Sequence, residues 1–198
     1  MGRRALVGWL QLLLLVPGVA LAKWDPPPNV TVRREGRAEF IESADFSYVP
    51  PKPIGFPQLK MCIAEKVTNG AVTLQDSSGS FVGSSGSYYQ SGNTQTVQGG
   101  GIFKYVDDAS GTLIAAGSTE ARTIGLQITH DIVKFELKAV IADGGVALKF
   151  INITRAQQSS GSLPNGGFQP VGTWWGAGAE HIYNSLERVA SSVKGCLQ

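Results

Sequence analysis

Residues 132–153 read IVKFELKAVIADGGVALKFINI. Val133, Phe135, Leu137, Ala139 and Ile141 occupy every second position, with Lys134, Glu136 and Lys138 between them. A period of two sends the first set to one face of a strand and the second to the other. Asp143-Gly144-Gly145 then turns the chain, and Val146, Leu148, Phe150 and Ile153 carry it back. The stretch is an antiparallel hairpin with one apolar and one charged face, as a sheet covered on one side requires. It needs amphipathic helices to do the covering.

Two such helices are present. The C-terminal one runs from Ala179 to Cys196, where Ile182, Leu186, Val189, Val193 and Leu197 trace one stripe. Glu180 stands near its start and Lys194 near its end, in accord with the macrodipole. The other opens at Pro57, a residue suited to a first helical turn. Leu59, Cys62, Ile63 and Val67 recur there at spacings of three and four, and Asn69-Gly70 stops the run. Cys62 and Cys196 lie on these two apolar stripes. A Cys62–Cys196 disulfide would close nearly the whole domain, worth about 4–5 kcal/mol in the chain-entropy model. Two buried thiols are the alternative, because cysteine packs as a small hydrophobe.

Around this frame, Ile102 to Val106 and Thr112 to Ala116 flank the turn formers Asp107-Asp108-Ala109-Ser110-Gly111 and make a second hairpin. That turn accounts for both acids without a calcium ion. Ala71 to Gln75 is a further short strand. The fold expected is α+β: an antiparallel sheet of about five or six strands with two helices on one face. Its element order is β-α-β-β-β-β-β-α, which is compatible with a helix-grip arrangement, a curved sheet around a long C-terminal helix.

Three segments divide the chain. In residues 1–22, Arg3-Arg4 supplies a positive start, Ala5 to Val16 an apolar run, Pro17-Gly18 a breaker, and Ala20-Leu21-Ala22 a cleavage pattern. This is a signal peptide, with export to the periplasm or the exterior as its consequence. The apolar run is about half of the ~20 residues that span a bilayer, and no later stretch approaches that length. No integral membrane segment is expected after cleavage. Residues 23–56 form a Pro-rich lead-in arm with two short stretches, Val30 to Arg34 and Glu39 to Ile41. Proline cannot donate to a ladder, so these read as edge strands or extended linker. Residues 57–198 form a single α+β domain.

Charge excludes one class of partner. The chain has 17 Lys+Arg against 15 Asp+Glu. Two of the basic residues are Arg3 and Arg4, so the rest of the chain is neutral. A neutral surface argues against nucleic acid, whose binding rests on an excess of Lys and Arg. The Arg33, Arg34, Arg37 cluster is interleaved with Glu35 and Glu39, as on a solvated strand edge.

Two segments carry aromatics without an evident core role. Glycine and serine make up more than half of Ser77 to Gly101, yet Phe81, Val82, Tyr88, Tyr89 and Val97 are spread through it. A plain linker would not carry them. The segment reads as a long hairpin extending the sheet, turning at Ser84-Ser85-Gly86, with a mobile loop presenting the tyrosines as the alternative. Gly99-Gly100-Gly101 precedes a strand, so it offers no phosphate a helix N-terminus. The second segment, Gln157 to Gly178, holds Phe168, Trp174 and Trp175. These rings either cap the core or, with Tyr183, line the mouth of a groove for a partner or an apolar ligand.

Catalytic and cofactor motifs are missing. His130 and His181 have no metal-ligand spacing to a second His or Cys, and no H-E-x-x-H, C-x-x-C, G-x-S-x-G or Walker pattern occurs. Asn29-Val30-Thr31 and Asn152-Ile153-Thr154 are glycosylation sequons. The reading that results is an exported, non-enzymatic interaction or envelope-assembly module with a protein partner and no cofactor. Tyr88, Tyr89, Phe168, Trp174, Trp175 and Tyr183 are its candidate contacts. A binder of an apolar or amphipathic small molecule between sheet and C-terminal helix is the alternative, and a hydrolase the second.

Overall fold

The computed structural model describes residues 23–123, 129–142 and 144–198. The expected signal peptide, residues 1–22, lies outside them. In chain order the elements are β1 (Val30–Glu35), β2 (Ala38–Tyr48), α1 (Phe56–Lys66), β3 (Val72–Gln75), β4 (Phe81–Val82), β5 (Tyr88–Tyr89), β6 (Thr94–Val97), β7 (Phe103–Asp107), β8 (Thr112–Thr123), β9 (Thr129–Ala142), β10 (Gly145–Gln157), β11 (Gln169–Pro170) and α2 (Ala179–Cys196). Seven strands make one antiparallel sheet in the order β1-β2-β10-β9-β8-β7, with β11 added to β10. The fold is α+β, as expected.

The β9–β10 hairpin stands at the centre of that sheet, in the register the alternation requires: Leu137 faces Phe150 and Ala139 faces Leu148. Asp143 of its turn lies outside the described residues; Gly144 takes φ 74°, a left-handed conformation that glycine adopts without a Cβ clash. The apolar face of the sheet is covered by α2, which packs against β2 and β8, and α1 packs against α2. Phe135, Leu137 and Phe150 from the sheet, Leu59 and Ile63 from α1, and Ile182, Leu186 and Val193 from α2 share one buried cluster. Cys62 and Cys196 are joined as a disulfide between the two helices, their Cα atoms 5.7 Å apart. Among the described residues no helix is long and apolar enough to cross a membrane.

Three expectations are corrected. The lead-in arm is part of the sheet: β2 runs for eleven residues and lies between β1 and β10. Its prolines bracket the strands and do not interrupt them, so the ban on proline in a central ladder never applies. Next, β8 continues past Ala116 to Thr123, pairing residue for residue with β9. Last, the 77–101 hairpin forms but does not extend the main sheet. It pairs with itself, β3 with β6 and β4 with β5, as a separate ribbon.

A bulge explains the placement of the last loop. β10 shifts register between Ile151 and Thr154, where Asn152 takes φ 53°. Up to Ile151 β10 pairs with β2; beyond the bulge it pairs with β11. The chain after β11 then bonds to β2, through Ile41 N–H to the Val171 carbonyl at 2.8 Å and Thr173 N–H to the Glu39 carbonyl at 3.0 Å. The loop thus fills the gap that the bulge opens.

Candidate functional site

The ribbon from β3 to β6 lies on the charged side of the sheet. Its base is apolar on one face: Val72 and Leu74 are buried against Ile132 and Ala156, with Val97 and Phe168 packed around them. Alternation along β3 exposes Thr73 and Gln75 and buries Val72 and Leu74. Above this contact the ribbon is tied down by the Asp76 carboxylate and by Ser77, whose N–H and Oγ donate to the Gly161 carbonyl at 2.7 and 2.9 Å. Asp76 accepts from Ser78 N–H at 3.0 Å, Ser78 Oγ at 2.7 Å, Asn93 Nδ2 at 3.2 Å and Asn165 N–H at 3.0 Å. Those donors hold its carboxyl well below the usual carboxylate range, Ser78 contributing most. Asp76 therefore joins three chain segments at one point.

Beyond Asp76 the ribbon stands clear. Phe81 stacks on Tyr89 with ring centroids 5.0 Å apart, and the turn between them returns through Gly83 N–H to the Ser87 carbonyl at 2.8 Å. A Cβ at Gly83 would come within 2.7 Å of the Tyr89 ring, so that close approach needs glycine. Phe81, Val82, Tyr88 and Tyr89 are 58%, 67%, 63% and 51% exposed, a contiguous set of large apolar side chains without cover. From Ser77 through Phe103 the sequence has no Asp, Glu, Lys, Arg, His or Pro. That uninterrupted neutrality is a signal legible in the sequence.

Among the described residues the outer edge of the ribbon is free. Gln75 N–H donates to the Gln158 carbonyl at 2.9 Å, and its own carbonyl accepts from Ser160 N–H at 3.2 Å, so its polar backbone turns away from β6. Antiparallel alternation then makes Leu74–Gln95 and Val72–Val97 the bonded pairs. The N–H and C=O of Thr94 and Thr96 point outward, where they meet no backbone partner among the described residues.

The structure divides the remaining candidate contacts. Trp174 and Trp175 share an open groove of about 460 Å³ with Trp24, Lys23 and His181 at the start of α2. Trp174 packs edge-on against Phe40, centroids 5.6 Å apart, while Trp175 is 64% exposed. Tyr183 does not join them at the groove mouth. Its half-buried ring stacks on Phe46 at 5.9 Å and meets Trp24 of the groove wall at 6.0 Å, and its hydroxyl donates to Asn29 Oδ1 at 3.3 Å. Phe168 is elsewhere again, under the ribbon base with Lys134 Nζ 5.0 Å from its ring centroid. Tyr88 and Tyr89 at the tip and Phe168 at the base thus belong to one feature, and the two tryptophans to another.

Asp131 follows His130 on β9. It is buried, accepts from Arg155 Nη1 at 3.0 Å through Oδ2, and has no partner for Oδ1 among the described residues. His130 lies on the opposite face of β9, and among the described residues neither histidine makes a side-chain hydrogen bond to an acid or hydroxyl. Asp107 accepts from Ala109 N–H, Ser110 N–H and Ser110 Oγ, the hairpin turn its sequence implied. Arg33 and Arg34 are paired with Glu35 and Glu39 on the solvated edge strand β1. Both amide atoms of Asn29 are used, toward Asp45 and Tyr183; Asn152 donates to Glu136 from the exposed bulge.

No protein-family model matches the chain, and no curated protein matches it. A search of solved structures finds the crystal structure of a DUF4468 family protein from Bacteroides ovatus ATCC 8483, 8% identical over 83% of each chain with a TM-score of 0.38. A likeness of that size carries no weight for fold or function.

Proposed function

We propose that this chain is an exported, non-enzymatic interaction module whose contact surface is the β3–β6 ribbon. The observation that carries the reading is the uncharged tip, where Phe81, Val82, Tyr88 and Tyr89 are half to two-thirds exposed on a ribbon anchored to a rigid sheet. Tyrosine amid serine, glycine and asparagine is also the composition of adaptable protein-binding surfaces, large rigid rings among small polar groups. Export is supported by the interhelix disulfide, since such bonds persist in oxidising compartments, together with the charged start, apolar run and cleavage pattern of residues 1–22. An envelope or secreted scaffold protein is the partner class that fits this location.

A photoreactive amino acid in place of Tyr88, introduced into the chain in cells that export it, tests the proposal. The expected result is a protein adduct of one defined mass that disappears when Phe81 and Tyr89 are both changed to Ser. Absence of any adduct, or an adduct indifferent to those changes, would contradict it.

The groove beside Trp24, Trp174 and Trp175 supports a second reading, an apolar or aromatic small ligand. The groove and not the space between sheet and α2 is where such a ligand would sit, because Leu137, Phe150, Ile182 and Leu186 are fully buried in that space. Native mass spectrometry of the purified chain, with and without Trp175→Ala, distinguishes a retained ligand from none.

A further inference from the structure

Free strand edges invite pairing with another chain, and folded proteins guard them with charge, proline or a bulge. Two edges here are guarded. β1 carries Arg33, Arg34 and Glu35 along its length. β7 carries Lys104 and Asp107 and is bent by a register shift between Phe103 and Tyr105. β6 has none of these devices. Its sequence from Gly92 to Gly99 is Gly-Asn-Thr-Gln-Thr-Val-Gln-Gly, without charge or proline, and its four residues pair with β3 in unbroken register. The outward N–H and C=O groups of Thr94 and Thr96 are therefore an open template.

We infer that β6 pairs with β6 of a second copy of this chain, antiparallel about a two-fold axis. The inference rests on reading the ribbon as the contact surface. A second copy is the occupant the edge suits. A two-fold contact sets each patch against itself, which forbids charges of one sign at its centre, and the edge has none. The chain beyond residue 22 balances 15 Lys+Arg against 15 Asp+Glu, so two copies approach without net repulsion.

Sedimentation equilibrium of the purified chain from micromolar to millimolar concentration tests this. The chain is expected to form a dimer. Thr96→Pro removes one outward N–H while leaving the β3–β6 bonds in place, and it should weaken the dimer about tenfold. Thr96→Lys, which sets like charges close across the axis, should weaken it further, and Ser47→Lys on the exposed face of β2 should not change it. Near-ultraviolet circular dichroism establishes that each variant is folded. In the wild-type dimer the Thr94 and Thr96 amides should gain protection from hydrogen exchange as concentration rises. A monomer throughout the range, or a dimer indifferent to both Thr96 changes, overturns the inference. A monomer that still gives the Tyr88 adduct, at the mass of a different protein, overturns self-pairing alone and leaves the ribbon as the contact surface.

Discussion

The sheet-and-helix body and the ribbon are built on opposite plans. The body buries aliphatic and aromatic side chains under two helices cross-linked by a disulfide, and turns a face of alternating lysine and glutamate to water. The ribbon buries only Val72 and Leu74, is held to the last loop by hydrogen bonds at Gln75, Asp76 and Ser77, and exposes its aromatics among neutral polar residues. Hydrophobic burial scales with apolar area removed from water, so nearly all of the stability resides in the body. The ribbon contributes little to holding the fold and is correspondingly free to serve contact. Stability and recognition are separated in space.

The largest effect expected is on the body. Replacing Cys62 and Cys196 by Ser releases a loop of 134 residues and should cost about 5 kcal/mol, read from denaturant unfolding. A loss near zero would mean that the helix pair holds without its clasp. Next in size is Leu186→Ala, a fully buried side chain on α2, at about 3 kcal/mol. If the Phe81→Ser, Tyr89→Ser double variant cost as much, the division between body and ribbon would fail; it should stay within about 0.5 kcal/mol.

The smallest effect is local. Asp76→Asn replaces the carboxylate that gathers four donors, and should raise exchange at the Ser78 and Asn165 amides about tenfold while the β9 and β10 amides are unchanged. Its pH dependence sharpens the comparison. The Asp76 carboxyl is depressed below its unfolded value of about 3.9. Its stabilisation is therefore complete above that value and is lost as pH falls through the lower folded one. The ribbon base should stay closed from neutrality down to about pH 4 and open only in stronger acid.

What was legible in the sequence follows the same division. The central hairpin and α2 were readable because one face of each is fully apolar, so the period shows directly. The second half of β8 was not. Gly117 there gives its space to a neighbour: a Cβ would lie 2.6 Å from the Phe135 ring and 2.7 Å from Val67. The core at that point is filled by β9 and α1, and β8 carries little apolar signal of its own. β2 was obscured by the prolines around it. Tyr183 is a tertiary matter, since its position on α2 says nothing of Phe46 on β2 beneath it. The ribbon was legible as a hairpin from its turn residues, but its free edge depends on where Gln75 sends its backbone bonds, which no residue type encodes.

Native-state hydrogen exchange on the full chain in dilute solution tests the separation most directly. Amides of Leu137, Ala139 and Phe150 should exchange only through global unfolding, and those of Phe81, Tyr88 and Tyr89 through a local opening several-fold to many-fold easier. A single common opening free energy for both groups would contradict it, because the ribbon would then be part of the core and not a surface set apart for contact.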